Sequence, residues 1–129
     1  MTADGRPHWF ELNTWDPEKA KTFYAESFGW TFMEMPVPNA PAYILCKSGE
    51  DVVAGIFTLT SPFFDGATDM WLTYFAVEDI DARIEQVAKA GGHVRRPPWD
   101  IPGFGRVAVL DDATGATQAW ITPTKESQS

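Results

Sequence analysis

The chain has 129 residues, 44% hydrophobic and 14% aromatic, enough for one packed core and too apolar for a disordered segment. Eighteen acidic against ten basic residues leave a formal net charge of −8, so phosphate backbones and anionic membrane surfaces are repelled and nucleic acid is not an expected partner.

In chain order, the stretch "HWFELNTW" from His8 is aromatic and apolar with partial alternation, the pattern of a strand. "DPEKAKTFYAESFGW" follows, with Asp16 as N-cap, Pro17 at the first helical position and Gly29 as the stop. Ala20, Phe23, Tyr24 and Phe28 recur at helical spacing and are the expected core face of this helix. "WTFMEM", "AYILCKSG" and "VVAGIFTL" read as three strands separated by "PVPNAP" and "SGED". "MWLTYFAV" opens a second round: a helix over "EDIDARIEQVAKAGG" with Ile80, Ile84, Val87 and Ala88 on one face, then the strands "HVRRPP", "GRVAVLDD" and "TQAWITP". The loop "RRPPWDIPGFG" carries Trp99 and Phe104 as a lid or an aromatic plug.

The halves repeat. Asp79 lies 63 residues after Asp16, as Gly92 does after Gly29 and Ala88 after Ala25, the mark of an internal duplication. No run approaches the roughly 20 apolar residues of a membrane span, and the first residues hold no signal core, so no membrane partner is expected. A single cysteine, Cys46, in an apolar run fits a reducing, cytoplasmic setting.

Together, "WFELNTWDPEKAKTFYAESFGW", "YFAVEDIDARIEQVAKAGGHV" and "PPWDIPGFGRVAVLDDATG" resemble the glyoxalase/bleomycin-resistance proteins, the vicinal oxygen chelate superfamily. The resemblance covers roughly residues 8–123 and implies an α+β fold: two βαβββ modules forming a cupped mixed sheet around a cavity, with the helices on its outer face. A single domain, residues 1–129, is expected, built from modules 8–60 and 69–123. The resemblance also implies a homodimer and, in many members, a divalent metal held by His, Gln or Glu from the first and last strands of each module.

As the resemblance implies, those ligand positions fall here on Trp9, seven residues before Asp16, on Leu72 by the repeat, and on Val53 and Ala119, four residues after Gly49 and Gly115. None is a metal donor. Slipping every strand by one residue offers His8, Trp71, Val52 or Ala54, and Gln118 or Trp120, at most two donors where a catalytic zinc typically takes three protein ligands. No metal or other cofactor is therefore expected, and His8 and His93 are read as structural or solvent-facing.

In the unslipped register Trp9, Glu11, Asn13 and Tyr74 face the cavity, over a floor completed by Leu72, Ala119 and Ile121. A mostly apolar pocket with sparse polar groups suits a small molecule, and the expected ligand-binding residues are Trp9, Glu11, Asn13, Tyr74, Trp99 and Arg106. Glu11 needs a partner if buried, and Arg106 is the candidate. The leading reading is a metal-free protein binding a small apolar or aromatic molecule. The alternatives are a metal-dependent lyase or dioxygenase resembling lactoylglutathione lyase, a metal-free isomerase using Glu11, and a protein-interaction module whose cavity is filled by its own side chains.

Overall fold

A computed structural model describes residues 4–124. The element order is βαβββ twice: β1 (Arg6–Thr14), α1 (Pro17–Phe28), β2 (Thr31–Val37), β3 (Ala40–Ser48) and β4 (Asp51–Thr58), then β5 (Met70–Ala76), α2 (Ile80–Ile84), β6 (His93–Ile101), β7 (Gly105–Asp111) and β8 (Thr117–Pro123). The chain divides into two compact units, Trp9–Leu72 and the residues up to His8 together with those from Thr73 onward. The expected α+β class, with mixed sheets in βαβββ modules, is the one found.

In the first module the strands run β2-β3-β4-β1. β1 is parallel to β4 and the other pairs are antiparallel. Asp16 caps α1 by accepting the Lys19 N–H at 3.0 Å. Gly29 ends it at φ 76°, a left-handed conformation glycine adopts without a Cβ clash. The core beneath the helix is Leu12, Ile44, Cys46, Ala54 and Ile56, with Ala20, Tyr24, Trp30 and Phe32 packed against it. Burial pushes the Cys46 thiol up to about 11, which makes it a packing group rather than a nucleophile.

The expected core face of α1 is only half right. Ala20 and Tyr24, four residues apart, make the contact, while Phe23 and Phe28 are 59% and 62% exposed and no α1 residue is fully buried. Tyr24 is the hinge of this arrangement: its ring stacks on Trp30 at 5.3 Å and meets Trp71 edge-on at 5.7 Å.

The second module orders its strands β5-β8-β7-β6, with β5 parallel to β8. Val77, Ile80 and Ala108 form its helix-side core, with Ile84 and Trp120 alongside. α2 is far shorter than the sequence suggests. After Ile84 the chain continues in tight turns, Gln86 N–H to Arg83 O at 3.0 Å and Val87 N–H to Ile84 O at 3.2 Å. Three-residue spacing eclipses side chains along such turns, so Val87 still reaches the core at 4% exposure.

The stretch expected as a lid or plug loop is mostly strand. β6 runs to Ile101 and pairs with β7, with register shifts between Val94 and Arg96 and between Arg96 and Trp99. Pro97 and Pro98 lie in the second of these interruptions. Proline has no N–H for the ladder, and β6 is the last strand in the order, where such breaks are tolerated. Only 102–104 form a turn, and from it Phe104 meets Tyr74 edge-on at 6.1 Å.

Candidate functional site

Strand alternation gives each half-sheet a helix face and an inner face. In the first module Leu12, Ile44 and Ile56 take the helix face, so Glu11, Leu45 and Gly55 take the other. The register lines up Met33, Leu45, Gly55 and Glu11 in one row across β2, β3, β4 and β1. Tyr43 stands beside Met35 in the next row.

A chain of hydrogen bonds runs over this face. Trp9 Nε1 donates to the Tyr43 hydroxyl at 2.9 Å, and Tyr43 donates to Glu11 Oε1 at 2.9 Å. Asn13 Nδ2 donates to Glu11 Oε2 at 2.8 Å. The direction is fixed by chemistry, since an indole N–H can only donate and the phenol proton must therefore point to the carboxylate. Glu11 is 7% exposed. Two charge-assisted bonds offset part of the cost of holding that carboxylate out of water.

Gly55 makes room for the arrangement. A Cβ there would stand 1.9 Å from the Tyr43 hydroxyl oxygen, so the phenol lies directly over bare backbone. A glycine inside a strand marks such a close approach. Around the chain of bonds the face is apolar and open, with Met33 45% and Met35 43% exposed. Methionine is flexible and polarisable, suited to surfaces that adapt to what they bind.

The metal-binding chemistry of the resembling family does not fit these residues. Glu11 accepts from the neutral Tyr43 and Asn13 donors; two residues before the Glu11 and Gly55 pair stand Trp9 and Val53, neither a ligand. Among the described residues no three of His, Cys, Asp and Glu come together.

The remaining expected site residues lie elsewhere. Tyr74 is on the inner face of the second module, paired with Ala119 across β5 and β8. Trp99 sits opposite Val107, with the Arg96 guanidinium 3.6 Å over its ring. Arg106 takes the helix face with Ala108 and ties down α2, donating through Nε and Nη2 to Asp81 at 2.8 and 3.0 Å and pairing with Asp100 at 3.2 Å. The expected Glu11 to Arg106 pairing is thus replaced by Asn13 and Tyr43 on one side and Asp81 and Asp100 on the other. Arg106 holds the Asp81 carboxyl below its ordinary range. His8 lies 6.4 Å from the Phe104 ring, and partial burial lowers its pKa.

Sequence reasoning missed Tyr43 and Gly55. Both carried a signal: Tyr43 is out of phase with the core residues Ile44 and Cys46, and Gly55 interrupts an apolar run.

The chain belongs to the glyoxalase/bleomycin resistance protein/dioxygenase superfamily, whose family model matches residues 6–118. It is 37% identical over 113 residues to CFP32 of Mycobacterium tuberculosis, a protein whose name carries a provisional glyoxylase designation. That match covers 87% of this chain and 43% of CFP32. It is also 34% identical over 128 residues to the anthracycline biosynthesis protein DnrV of Streptomyces peucetius, covering 91% of this chain and 46% of DnrV. The chain thus spans less than half the length of these relatives. Among solved structures, BH1468 of Bacillus halodurans C-125 is similar at a TM-score of 0.67 and 16% identity, over 94% of this chain and 96% of that one. Methylmalonyl-CoA epimerase of Mycobacterium tuberculosis is similar at 0.60 and 14%, over 97% and 91%. These two share the fold. No helix among the described residues is long and apolar enough to cross a membrane.

Proposed function

We propose that this chain binds a small, largely apolar or aromatic molecule on the inner face of its first module, without a metal, and that Glu11 receives a hydrogen-bond donor of that molecule. The observation that carries the reading is the buried Glu11 carboxylate, aimed by Tyr43 and Asn13 within a face of exposed methionines. An aromatic ligand is favoured by Trp9 in that face and by the likeness to DnrV, since anthracyclines are fused aromatic ring systems. The homodimeric assembly and cytoplasmic setting expected from the sequence belong to the same proposal. Light scattering giving a single-chain mass at micromolar concentration would reject the dimer.

Calorimetric titration with a hydroxylated anthraquinone should show saturable binding. Glu11→Gln should weaken it about tenfold, the value of one hydrogen bond to a charged group, and Trp9→Phe should remove the accompanying change in tryptophan emission. Equal affinity for the parent and Glu11→Gln, or no saturable binding across a panel of hydroxylated aromatics, rejects the site. Elemental analysis finding close to one divalent metal per chain would instead favour a metal-dependent lyase or dioxygenase.

A further inference from the structure

The helix side of each module carries a cleft, and the two are built from equivalent residues. The first, about 360 Å³, is lined by Leu12, Thr14, Ala20, Phe23, Asp69 and Trp71 among others; the second, about 470 Å³, by Asp4, Phe75, Val77, Arg83, Gln86 and Trp120. The 63-residue repeat carries Leu12 to Phe75, Thr14 to Val77, Ala20 to Arg83 and Phe23 to Gln86.

The two aspartates also correspond. Trp15 N–H donates to Asp69 Oδ1 at 3.3 Å, and Glu78 N–H donates to Asp4 Oδ1 at 2.7 Å. Trp15 and Glu78 are themselves 63 residues apart, each just before a helix cap. What differs is the other carboxylate oxygen. Asp4 Oδ2 meets Arg83 Nη2 in an ion pair. Asp69 Oδ2 accepts from the Thr14 hydroxyl at 2.5 Å, and the residue in the place of Arg83 is Ala20. A hydroxyl satisfies the hydrogen bond but leaves the charge, so the first module has the carboxylate without the cation.

We propose that the first-module cleft binds a small organic cation, its guanidinium- or amidinium-type group on Asp69 where Arg83 serves the second module and its apolar body against Phe23, Tyr24 and Trp71. A planar cation pairs bidentately with a carboxylate and is attracted to aromatic faces. The walls are set by contact, with the Trp71 Nε1 donating to the Tyr24 hydroxyl at 3.0 Å. The Asp16 carboxylate adds a second negative charge to the lining. Lys19 also lines the cleft but is exposed and forms no ion pair with Asp16 or Asp69. This site lies on the opposite face of the half-sheet from Glu11 and does not depend on the reading of that face.

Benzamidine and its neutral isostere benzamide are the probes, titrated at low salt into the full chain and followed by calorimetry and by tryptophan emission. Benzamidine should bind saturably and at least about tenfold more tightly than benzamide, equivalent to about 1.4 kcal/mol. Ala20→Arg, which rebuilds the ion pair of the second module, should abolish benzamidine binding, and Asp69→Asn should do the same. If Ala20→Arg fails to fold, Asp69→Asn decides. Equal binding of the two probes, benzamidine binding undiminished in the variant that folds, or no saturable binding up to millimolar concentration overturns the proposal. So does binding that emerges only in Lys19→Ala, which would show that Lys19 already occupies the place.

Discussion

The inner faces of the two modules were cast from one pattern and put to opposite uses. In the second module Leu72, Tyr74, Val107, Ala119 and Ile121 are all at or below 5% exposure, and Phe104 leans on Tyr74 from the turn before β7. In the first module the same face sets a buried carboxylate among methionines that are more than two-fifths exposed. At the heart of each is a parallel strand pair: Glu11 beside Gly55 in one, Tyr74 beside Ala119 in the other. A duplicated scaffold can thus leave packing to one copy and free the other to hold polar groups that a core would not tolerate.

The largest effect should come from testing that division directly. Ile121→Ala removes a side chain with no exposed surface and should cost about 2–5 kcal/mol in denaturant unfolding. Met35→Ala on the first module should stay within about 0.5 kcal/mol, as exposed substitutions do. Equal costs would mean that the first inner face is core as well, and the binding proposal would lose its surface.

Gly55→Ala sharpens the comparison at one atom. The new Cβ falls 1.9 Å from the Tyr43 hydroxyl oxygen, so the phenol must swing away and release Glu11, with an overpacking cost of about 1–3 kcal/mol. The corresponding place in the second module already holds alanine, Ala119, opposite Tyr74. A crystal structure of Gly55→Ala with Tyr43 unmoved would remove glycine from the account of the site.

How much of this was legible before the structure depends on whether the cause is local. The cap and stop of α1 were readable because Asp16, Pro17 and Gly29 act on their immediate neighbours. The short α2 was not, since Ile80, Ile84 and Val87 satisfy a helix and a helix ending in three-residue turns equally well. Trp9, Glu11 and Asn13 were placed on one face by alternation alone, and the structure brings them together. Their link through Tyr43 depends on the register of β3 against β4 and β4 against β1, which no single strand encodes. Arg106 shows the same limit from the other side, because which face of "GRVAV" meets the helix is decided by Ala108 against Trp120 in a neighbouring strand.

The smallest expected difference is in pH response, and it too separates the units. Asp111 accepts from Arg95 at 2.7 Å and from the Thr117 hydroxyl at 2.7 Å; these partners hold its carboxyl below the ordinary 3.8, with Arg95 the first cause. A depressed acid stabilises the fold above its unfolded value and loses that contribution as pH falls through the folded one. His8 acts in the same direction by another route. Partial burial lowers its pKa from 6.5, so the fold favours the neutral ring and loses stability as pH drops below that value. Both groups belong to the unit that contains the second module. In the first, the Lys21 ammonium is raised above 10.5, first by its hydrogen bond to Glu18, so its contribution is lost only as pH rises through that higher value. Acid should therefore loosen the second module before the first: the contribution of His8 fades as pH drops below 6.5, and that of the exposed Arg95 pair, no more than about 1 kcal/mol, only as pH falls below 3.8. Amide hydrogen exchange, corrected for intrinsic rates, at pH 7 and pH 3 should show protection falling in β7 and β8 while β3 and β4 hold; loss in β3 and β4 first would reverse the assignment.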